Sequence, residues 1–138
     1  MDRNELKNIL PHREPMLLVD EAYVSDDNIA HGSYIVKGDE YFLQGHFPNN
    51  PIVPGVIQCE MAAQTCCVLL GEKISGCTPL FSGMNKVKFK TVVKPGDTIN
   101  FECSLIREMP PFYFAECKGI VNGKICVSGE FSFALIKN

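Results

Sequence analysis

The segment GHFPNNPIVPGVIQCEMAAQ, residues 45–64, places one histidine and one carboxylate in an otherwise apolar part of the chain. His46 follows a glycine and precedes three prolines spaced three residues apart. Each proline fixes its own φ and biases the preceding residue towards extended backbone, so the loop has little conformational freedom. A rigid loop that holds an imidazole in one place suits catalysis by proton transfer.

Glu60 is the only charged residue of the apolar helix that is predicted to follow this loop, and its polar company there is Gln58, Gln64 and Thr65. A glutamate is seldom buried without a partner, because burying an isolated charge is costly. The setting therefore favours a functional role for Glu60, and it makes His46 and Glu60 a candidate acid–base pair.

The Pro54-Gly55 step predicts the start of the helix, where the first amides point outward at the positive end of the helix dipole. Gly55 has no side chain to block the approach of a developing oxyanion, and Glu60 would lie roughly 7–8 Å further along the axis. An imidazole, a carboxyl and an amide that polarises a carbonyl suit proton removal beside that carbonyl and elimination of water. This chemistry requires no metal, cofactor or covalent nucleophile.

The composition predicts one globular domain that covers residues 1–138. Of the 138 residues, 46% are hydrophobic and 21% are charged, which argues against disorder, and a net charge of -3 argues against a nucleic-acid partner. No apolar run is long enough to cross a membrane, and MDRNELKNIL lacks the apolar core of a secretory signal. The expected location is therefore cytoplasmic.

The seven cysteines show no C-x-x-C pair, so their spacing does not predict a zinc site. We expect reduced and mostly buried thiols, as is usual in the cytoplasm. Cys59 stands beside Glu60 and is interpreted either as a reactive thiol or as an inert core residue.

The remaining pattern predicts the elements that must position the pair. A short helix over 2–9 precedes a hairpin of strands 16–24 and 29–37, and the buried helix covers about 54–70. Period-two patterns, separated by turn signals such as Asn122-Gly123, then predict four more strands, at 80–92, 97–108, 112–121 and 124–136. The expected fold is α+β, with an antiparallel sheet of about six strands wrapped around one long central helix. Its uncovered edges indicate a dimer.

The segment 45–64 resembles the G-H-F-P-x-x-P-x-x-P-G-V-x-x-x-E-x-x-A-Q signature of the FabZ-type 3-hydroxyacyl-[acyl-carrier-protein] dehydratases, which are hotdog-fold enzymes of bacterial fatty-acid synthesis. PHREPMLLVD and FSGMNKVKFKTVVKPGD are similar to two further family segments, so the resemblance covers most of the chain from Leu10 to about Thr98. Glu14 and Met16 depart from the aromatic residues more usual at their positions.

The resemblance implies a role for each matching residue. His46 would take a proton from C2 of the acyl chain, Glu60 would act on the C3 hydroxyl, and the Gly55 amide would bind the thioester carbonyl. Gln64 would orient Glu60. The family's site lies at a dimer interface, with the histidine and the carboxylate from different subunits, and three dimers commonly form a hexamer. A sister group of dehydratase-isomerases has Asp at the position of Glu60, which favours dehydration alone here.

Lys86, Lys88 and Lys90 alternate along the strand predicted over 80–92 and would share one face. We interpret this face either as an ordinary solvated strand or as a docking patch for an acidic acyl carrier protein, to which Arg13 is a further candidate contributor.

The acyl chain would lie against apolar side chains near the site. Candidates to line such a tunnel, which are equally candidates for the core, are Val53, Val56, Ile57 and Met61.

Three other functions fit parts of the pattern. A hotdog thioesterase activates water with a helix carboxylate and generally lacks the G-H-F-P histidine, so His46 argues against it. A non-catalytic acyl-carrier or acyl-CoA binding module would need neither His46 nor Glu60. A dehydratase for specialised acyl chains, such as polyketide or aryl-polyene intermediates, would keep the mechanism and change only the tunnel.

Overall fold

Two α-helices and six strands form the computed structural model, which describes all 138 residues. Helix α1 covers Arg3–Leu6 and begins at a capping box, in which Asp2 accepts from the Glu5 amide and the Glu5 side chain accepts from the Asp2 amide. Helix α2 covers Gly55–Cys67 and continues as a tighter 3₁₀ helix over Val68–Ile74. Both helices are shorter than predicted, but α2 begins where the Pro54-Gly55 step placed its start.

All six predicted strands are present, and every neighbouring pair is antiparallel in the sheet order β1-β2-β4-β5-β6-β3. Asn122 and Gly123 both have positive φ, 50° and 77°, as the predicted type I′ turn requires. β1 and β3 form the two edges of the sheet. The strands are β1 Glu21–Val24, β2 Ala30–Ile35, β3 Cys77–Phe89, β4 Thr98–Met109, β5 Phe112–Val121 and β6 Lys124–Lys137.

The sheet packs one face around α2, which is the predicted arrangement. Phe101, Phe131 and Phe133 on the sheet and Met61 on the helix are at most 2% exposed and belong to one core cluster. Burying a side chain of this size contributes about 1.5–3 kcal/mol, so this face supplies much of the stability of the fold. The first turn of α2 departs from the predicted all-round burial, because Val56 is 69% exposed.

The prediction of a strand over 16–24 is wrong for its first half, because β1 begins only at Glu21. The Gln64 side chain of α2 takes the backbone groups that a strand partner would otherwise bind. It accepts from the Leu18 amide and donates to the Met16 carbonyl, both at 2.8 Å. The segment 16–19 is therefore attached to the central helix rather than to the sheet.

The regular strand predicted over 80–92 is also interrupted. A β-bulge lies between Asn85 and Lys88, with Lys86 at a φ of 55°, and Lys90 follows the end of β3. Two residues of the bulged strand oppose one residue of its partner, so the strict alternation of the three lysines is lost.

The expectation that every cysteine is reduced is wrong, since Cys103 and Cys117 form a disulfide. They face each other directly in the register of β4 and β5, with a Cα–Cα distance of 4.2 Å. Spacing along the chain could not show this pairing, because it depends on strand register. The five other cysteines are free, and Cys66 lies beside the pair, with the three sulfur atoms within 4.8 Å of one another.

No helix combines the length and the apolar character that crossing a membrane requires.

Candidate active site

The His46 loop is held by its own backbone and by the ring of the histidine. The His46 amide donates to the Leu43 carbonyl at 3.1 Å, and its carbonyl accepts from the Ile52 amide at 2.8 Å. Phe47 and Asn50 exchange two backbone hydrogen bonds of 2.9 Å at the tip, and the Phe47 ring stacks on the imidazole. The rigid support predicted from the three prolines is thus present.

The hydrogen bond of the ring fixes its tautomer. His46 Nδ1 lies 2.8 Å from the Ile52 carbonyl oxygen, which only accepts hydrogen bonds, so Nδ1 carries the proton. In the neutral ring Nε2 then has a free lone pair. His46 is half-buried and lines a cavity of about 550 Å³, so this nitrogen can act as a general base towards a group bound there.

The N-terminus of α2 reaches the same cavity. Gly55 and Val56 line it, and their amides are free of acceptors within the chain because the first helical hydrogen bonds start at Ile57. A Cβ at Gly55 would lie 2.8 Å from the Phe89 ring, so glycine allows this ring to close over the helix start. The geometry provides the amide donors that the sequence predicted for an oxyanion.

Gln58 also lines the His46 cavity, and it received no role from the sequence. Its Nε2 donates to the Val53 carbonyl at 3.3 Å, and its buried Oε1 has no partner in this chain. Its place one helical turn after Pro54, near the predicted oxyanion site, could have identified it as a residue of this cavity.

Glu60 is held by Gln64, which lies one turn further along α2. Gln64 Nε2 donates to Glu60 Oε2 at 2.9 Å, while the same amide group is fixed by Met16 and Leu18 as described above. This contact has the geometry that the orienting role of Gln64 requires.

His12 is the site residue that sequence reasoning missed. Its Nε2 lies 3.6 Å from Glu60 Oε2, and both side chains line a small cavity of about 40 Å³. Burial lowers the pKa of His12 and outweighs the Glu60 carboxylate, which acts to raise it, while Arg13 lowers it further. His12 stands inside the quoted PHREPMLLVD segment, which was the signal that could have identified it.

The structure does not bring His46 and Glu60 together within one chain, because they line separate cavities. The cavity of Glu60 is lined by Pro79 and Phe81 near the start of β3, whereas that of His46 is lined by Gly55 and by Phe89 at the end of β3.

Of the four residues predicted either to line an acyl tunnel or to belong to the core, two fit each interpretation. Val53 and Val56 line the His46 cavity. Met61 is completely buried in the core cluster, and Ile57 packs against that cluster, so these two residues fit the core interpretation.

The basic side chains do not form one continuous patch. Arg13 is occupied by its own segment, where it donates to the carbonyls of Lys7, Leu10 and His12. Lys86 lies 3.8 Å from Glu130 on the sheet, and Lys90 lines the His46 cavity.

Cys59 fits the inert interpretation. Burial raises the pKa of its thiol to about 11, so little of the nucleophilic thiolate forms near neutral pH.

The family model and the relatives of similar sequence are all described as dehydratases. A family model described as ApeI-like, ApeI dehydratase, matches residues 22–130. Proteins from Clostridium beijerinckii and Caldicellulosiruptor bescii, each named 3-hydroxyacyl-[acyl-carrier-protein] dehydratase FabZ, are both 42% identical to this chain, with 96% of each sequence covered.

Solved structures show the same hotdog fold. The dehydratase heterocomplex ApeI:P from Xenorhabdus doucetiae matches with a TM-score of 0.81 at 22% identity, over 96% of this chain and 91% of that chain. A hypothetical thioesterase with coenzyme A from Streptococcus pneumoniae matches with a TM-score of 0.64 at 11% identity, over 86% of each chain. At these identities the likeness concerns the fold alone.

Proposed function

This chain belongs to the FabZ-type 3-hydroxyacyl-[acyl-carrier-protein] dehydratases, and from that premise we propose that His46 and Glu60 are its acid–base pair. It is a hydro-lyase that dehydrates 3-hydroxyacyl-[acyl-carrier-protein] in fatty-acid biosynthesis. The proposed substrate is the (3R) form and the product is the trans-2-enoyl thioester. The observation that carries the residue assignment is the hydrogen bond between His46 Nδ1 and Ile52, because it leaves Nε2 as the base.

The elimination follows from these groups. His46 Nε2 takes the proton from C2, and the electron pair of that bond moves into an enolate whose oxygen is stabilised by the Gly55 amide. The C3–O bond then breaks, the hydroxyl leaves with the bonding pair, and it takes a proton from the Glu60 carboxyl. The products are the enoyl thioester and water. One proton passing from the imidazolium to the carboxylate restores the starting state.

A second copy of the chain would complete the site. His46 and Glu60 line separate cavities in one chain, so we propose that His46 of one copy works with Glu60 of the other. The free edge strand β3 supports this, since Leu80 and Met84 are 52% and 54% exposed there. An exposed apolar edge is a template for pairing with another chain. The proposed assembly is a homodimer, and three such dimers would form a hexamer.

The carrier protein would approach the mouth of the His46 cavity. Lys90 lines this cavity, and Lys86 and Lys88 lie on β3 shortly before Lys90 in the chain. We propose that these three lysines attract an acidic carrier protein. The charge-reversal variants Lys86→Glu and Lys88→Glu should slow turnover of the carrier-bound substrate and spare a coenzyme A thioester. An equal loss with both substrates would contradict docking at these lysines.

A second candidate is dehydration of a specialised acyl chain. The family model is described as ApeI dehydratase, whereas the curated relatives are named FabZ, and both descriptions are of dehydratases. The mechanism would be the same, and the preferred acyl chain would distinguish the two.

The test is hydration of trans-2-enoyl thioesters of several chain lengths, on carrier protein and on coenzyme A, followed by loss of the enoyl absorbance. Wild type should turn over, whereas His46→Ala and Glu60→Gln should each lose at least about 100-fold in kcat. Mixing the two inactive variants tests the shared site. Random exchange would give half of the dimers one intact site, so about a quarter of wild-type activity should return.

Three results would count against the proposal. Full activity of either single variant would remove that residue from the mechanism. A mixture that stays inactive, although mass spectrometry shows mixed dimers, would exclude a site shared between copies. Absence of turnover by wild type would favour the thioesterase or the binding module.

A further inference from the structure

We propose that His12 is a positioning residue: its imidazole and the Gln64 amide together hold the Glu60 carboxyl in the orientation from which it acts. This inference rests on the proposed function, in which Glu60 protonates the leaving hydroxyl.

The first support is the pair of contacts at one carboxyl oxygen. Glu60 Oε2 receives the Gln64 amide at 2.9 Å and has His12 Nε2 at 3.6 Å. The Gln64 amide also binds Met16 and Leu18, which belong to the same N-terminal segment as His12. Helix α2 and this segment therefore form one unit around the carboxyl, in which Gln64 of the helix and His12 of the segment both contact Glu60.

The second support is the charge of the surroundings. Glu60 and the Cys67 thiol are the other titratable groups that line this cavity, and Arg13, next to His12 in the chain, acts on His12 by its charge. Burial raises the pKa of Cys67 to about 12, with a smaller effect of Glu60, so this thiol is uncharged. A neutral His12 can contact the Glu60 carboxyl without forming a permanent ion pair with it.

The third support is the ring nitrogen that faces away from Glu60. His12 Nδ1 is buried and has no hydrogen-bond partner, which is unusual for a buried polar atom. Local hydrogen bonding therefore does not explain why a histidine stands here. The contact with Glu60 is the polar interaction that this ring makes in the chain.

Kinetics of His12 variants test the role. His12→Ala should lower kcat by about 10- to 100-fold and change KM little, because a misplaced catalytic group affects the transition state more than substrate binding. His12→Gln places an amide where Nε2 lies and should restore most of this loss. His31→Ala is the matched control, since His31 stacks on Tyr23 on the other side of the sheet and should retain wild-type kcat.

An NMR titration tests the contact without reference to activity. The Glu60 carboxylate acts to raise the pKa of His12, so Glu60→Gln should lower the pKa of His12 further. This measurement also serves if His12→Ala fails to fold, because it uses the native histidine.

The outcomes separate the two proposals. Wild-type kcat in folded His12→Ala, or an unchanged His12 titration in Glu60→Gln, would overturn the positioning role and leave the His46–Glu60 mechanism intact. Full activity of Glu60→Gln would overturn the proposed mechanism itself. A loss in His12→Ala that appears in KM alone would also contradict positioning through Glu60.

Discussion

Each histidine near the site presents a defined nitrogen to it. His46 gives Nδ1 to the Ile52 carbonyl and keeps Nε2 for the substrate, whereas His12 directs Nε2 to Glu60 and leaves Nδ1 unpaired. In the proposed mechanism the first ring exchanges a proton with a bound molecule, and in the proposed positioning role the second ring holds another side chain. Two identical side chains would then differ in function because their hydrogen-bond partners differ.

A methyl group added at Gly55 should affect activity more than stability. The new Cβ would meet the Phe89 ring at 2.8 Å, and this ring is 53% exposed, so it can move aside without unpacking the core. The displaced ring would enter the His46 cavity, which it lines. We expect Gly55→Ala to lose about tenfold or more in kcat/KM, while the free energy of unfolding changes by less than about 1 kcal/mol.

The double variant Gly55→Ala with Phe89→Leu is the control, because the smaller side chain leaves room for the Cβ and should recover part of the activity. Enoyl hydration and urea unfolding measure the two quantities. Equal activity of Gly55→Ala and wild type would show that the Phe89 ring does not restrict the cavity.

The sequence predicted the residues of the site better than their grouping. Gln64 contacts Glu60, the His46 loop is held and helix α2 begins at Gly55, all as expected, because each depends on short-range features such as a proline-rich loop or one helical turn. His12 was missed because its contact with Glu60 spans 48 residues along the chain, and neither periodicity nor spacing records such a contact.

At the scale of elements, the turn before the His46 loop is anchored by one carboxylate. Glu40 accepts hydrogen bonds from the amides of Lys37 and Gly38, at 3.0 and 2.7 Å, and from the Tyr34 hydroxyl at 2.8 Å. Burial acts to raise the pKa of Glu40, but these hydrogen bonds outweigh it and lower the pKa below the ordinary 4.5. The charged form of Glu40 therefore stabilises the folded state.

This linkage predicts a pH dependence of stability. A carboxyl with a lowered folded-state pKa contributes fully above its unfolded pKa, and the contribution is lost as the pH falls through the folded value. We expect Glu40→Gln to be about 1–2 kcal/mol less stable than wild type at pH 7, with a gap that narrows below pH 4.5. Urea unfolding over this pH range measures it, with Glu72→Gln as an exposed control. A gap that is absent at pH 7, or constant with pH, would contradict the anchoring role.

The positions of strands could be predicted where the alternation of buried and exposed residues determines them. The prediction was wrong where a side chain binds the backbone in place of a neighbouring strand. β4, β5 and β6 agree with their predicted ranges to within about a residue or two, because each buries one face. The segment 16–19 is equally apolar, but Gln64 binds its backbone. The bulge at Lys86 and the pairing of Cys103 with Cys117 depend on register, which one strand alone does not determine.

At the scale of the whole molecule, the two edges of the sheet differ. β1 has four residues, whereas β3 has thirteen and leaves large apolar side chains exposed beside the Glu60 cavity. A second copy that pairs along β3 would cover these side chains and bring a second site near the first. Assembly and activity should therefore fail together when this edge is altered.

A lysine at Met84 tests this coupling, because Met84 lies on the β3 edge and is 54% exposed in the single chain. If a second copy covers it, Met84→Lys buries an unpaired charge at the interface. That should weaken the dimer by at least about 2 kcal/mol, or roughly 30-fold in dissociation constant. Sedimentation velocity should show a shift towards monomer, and enoyl hydration should fall with the dimer fraction. Val24→Lys places the same charge on β1, at a side chain that is 41% exposed, and should leave both quantities unchanged. A fully assembled and active Met84→Lys would place the interface away from β3, and a monomeric but active variant would show that one chain holds a complete site.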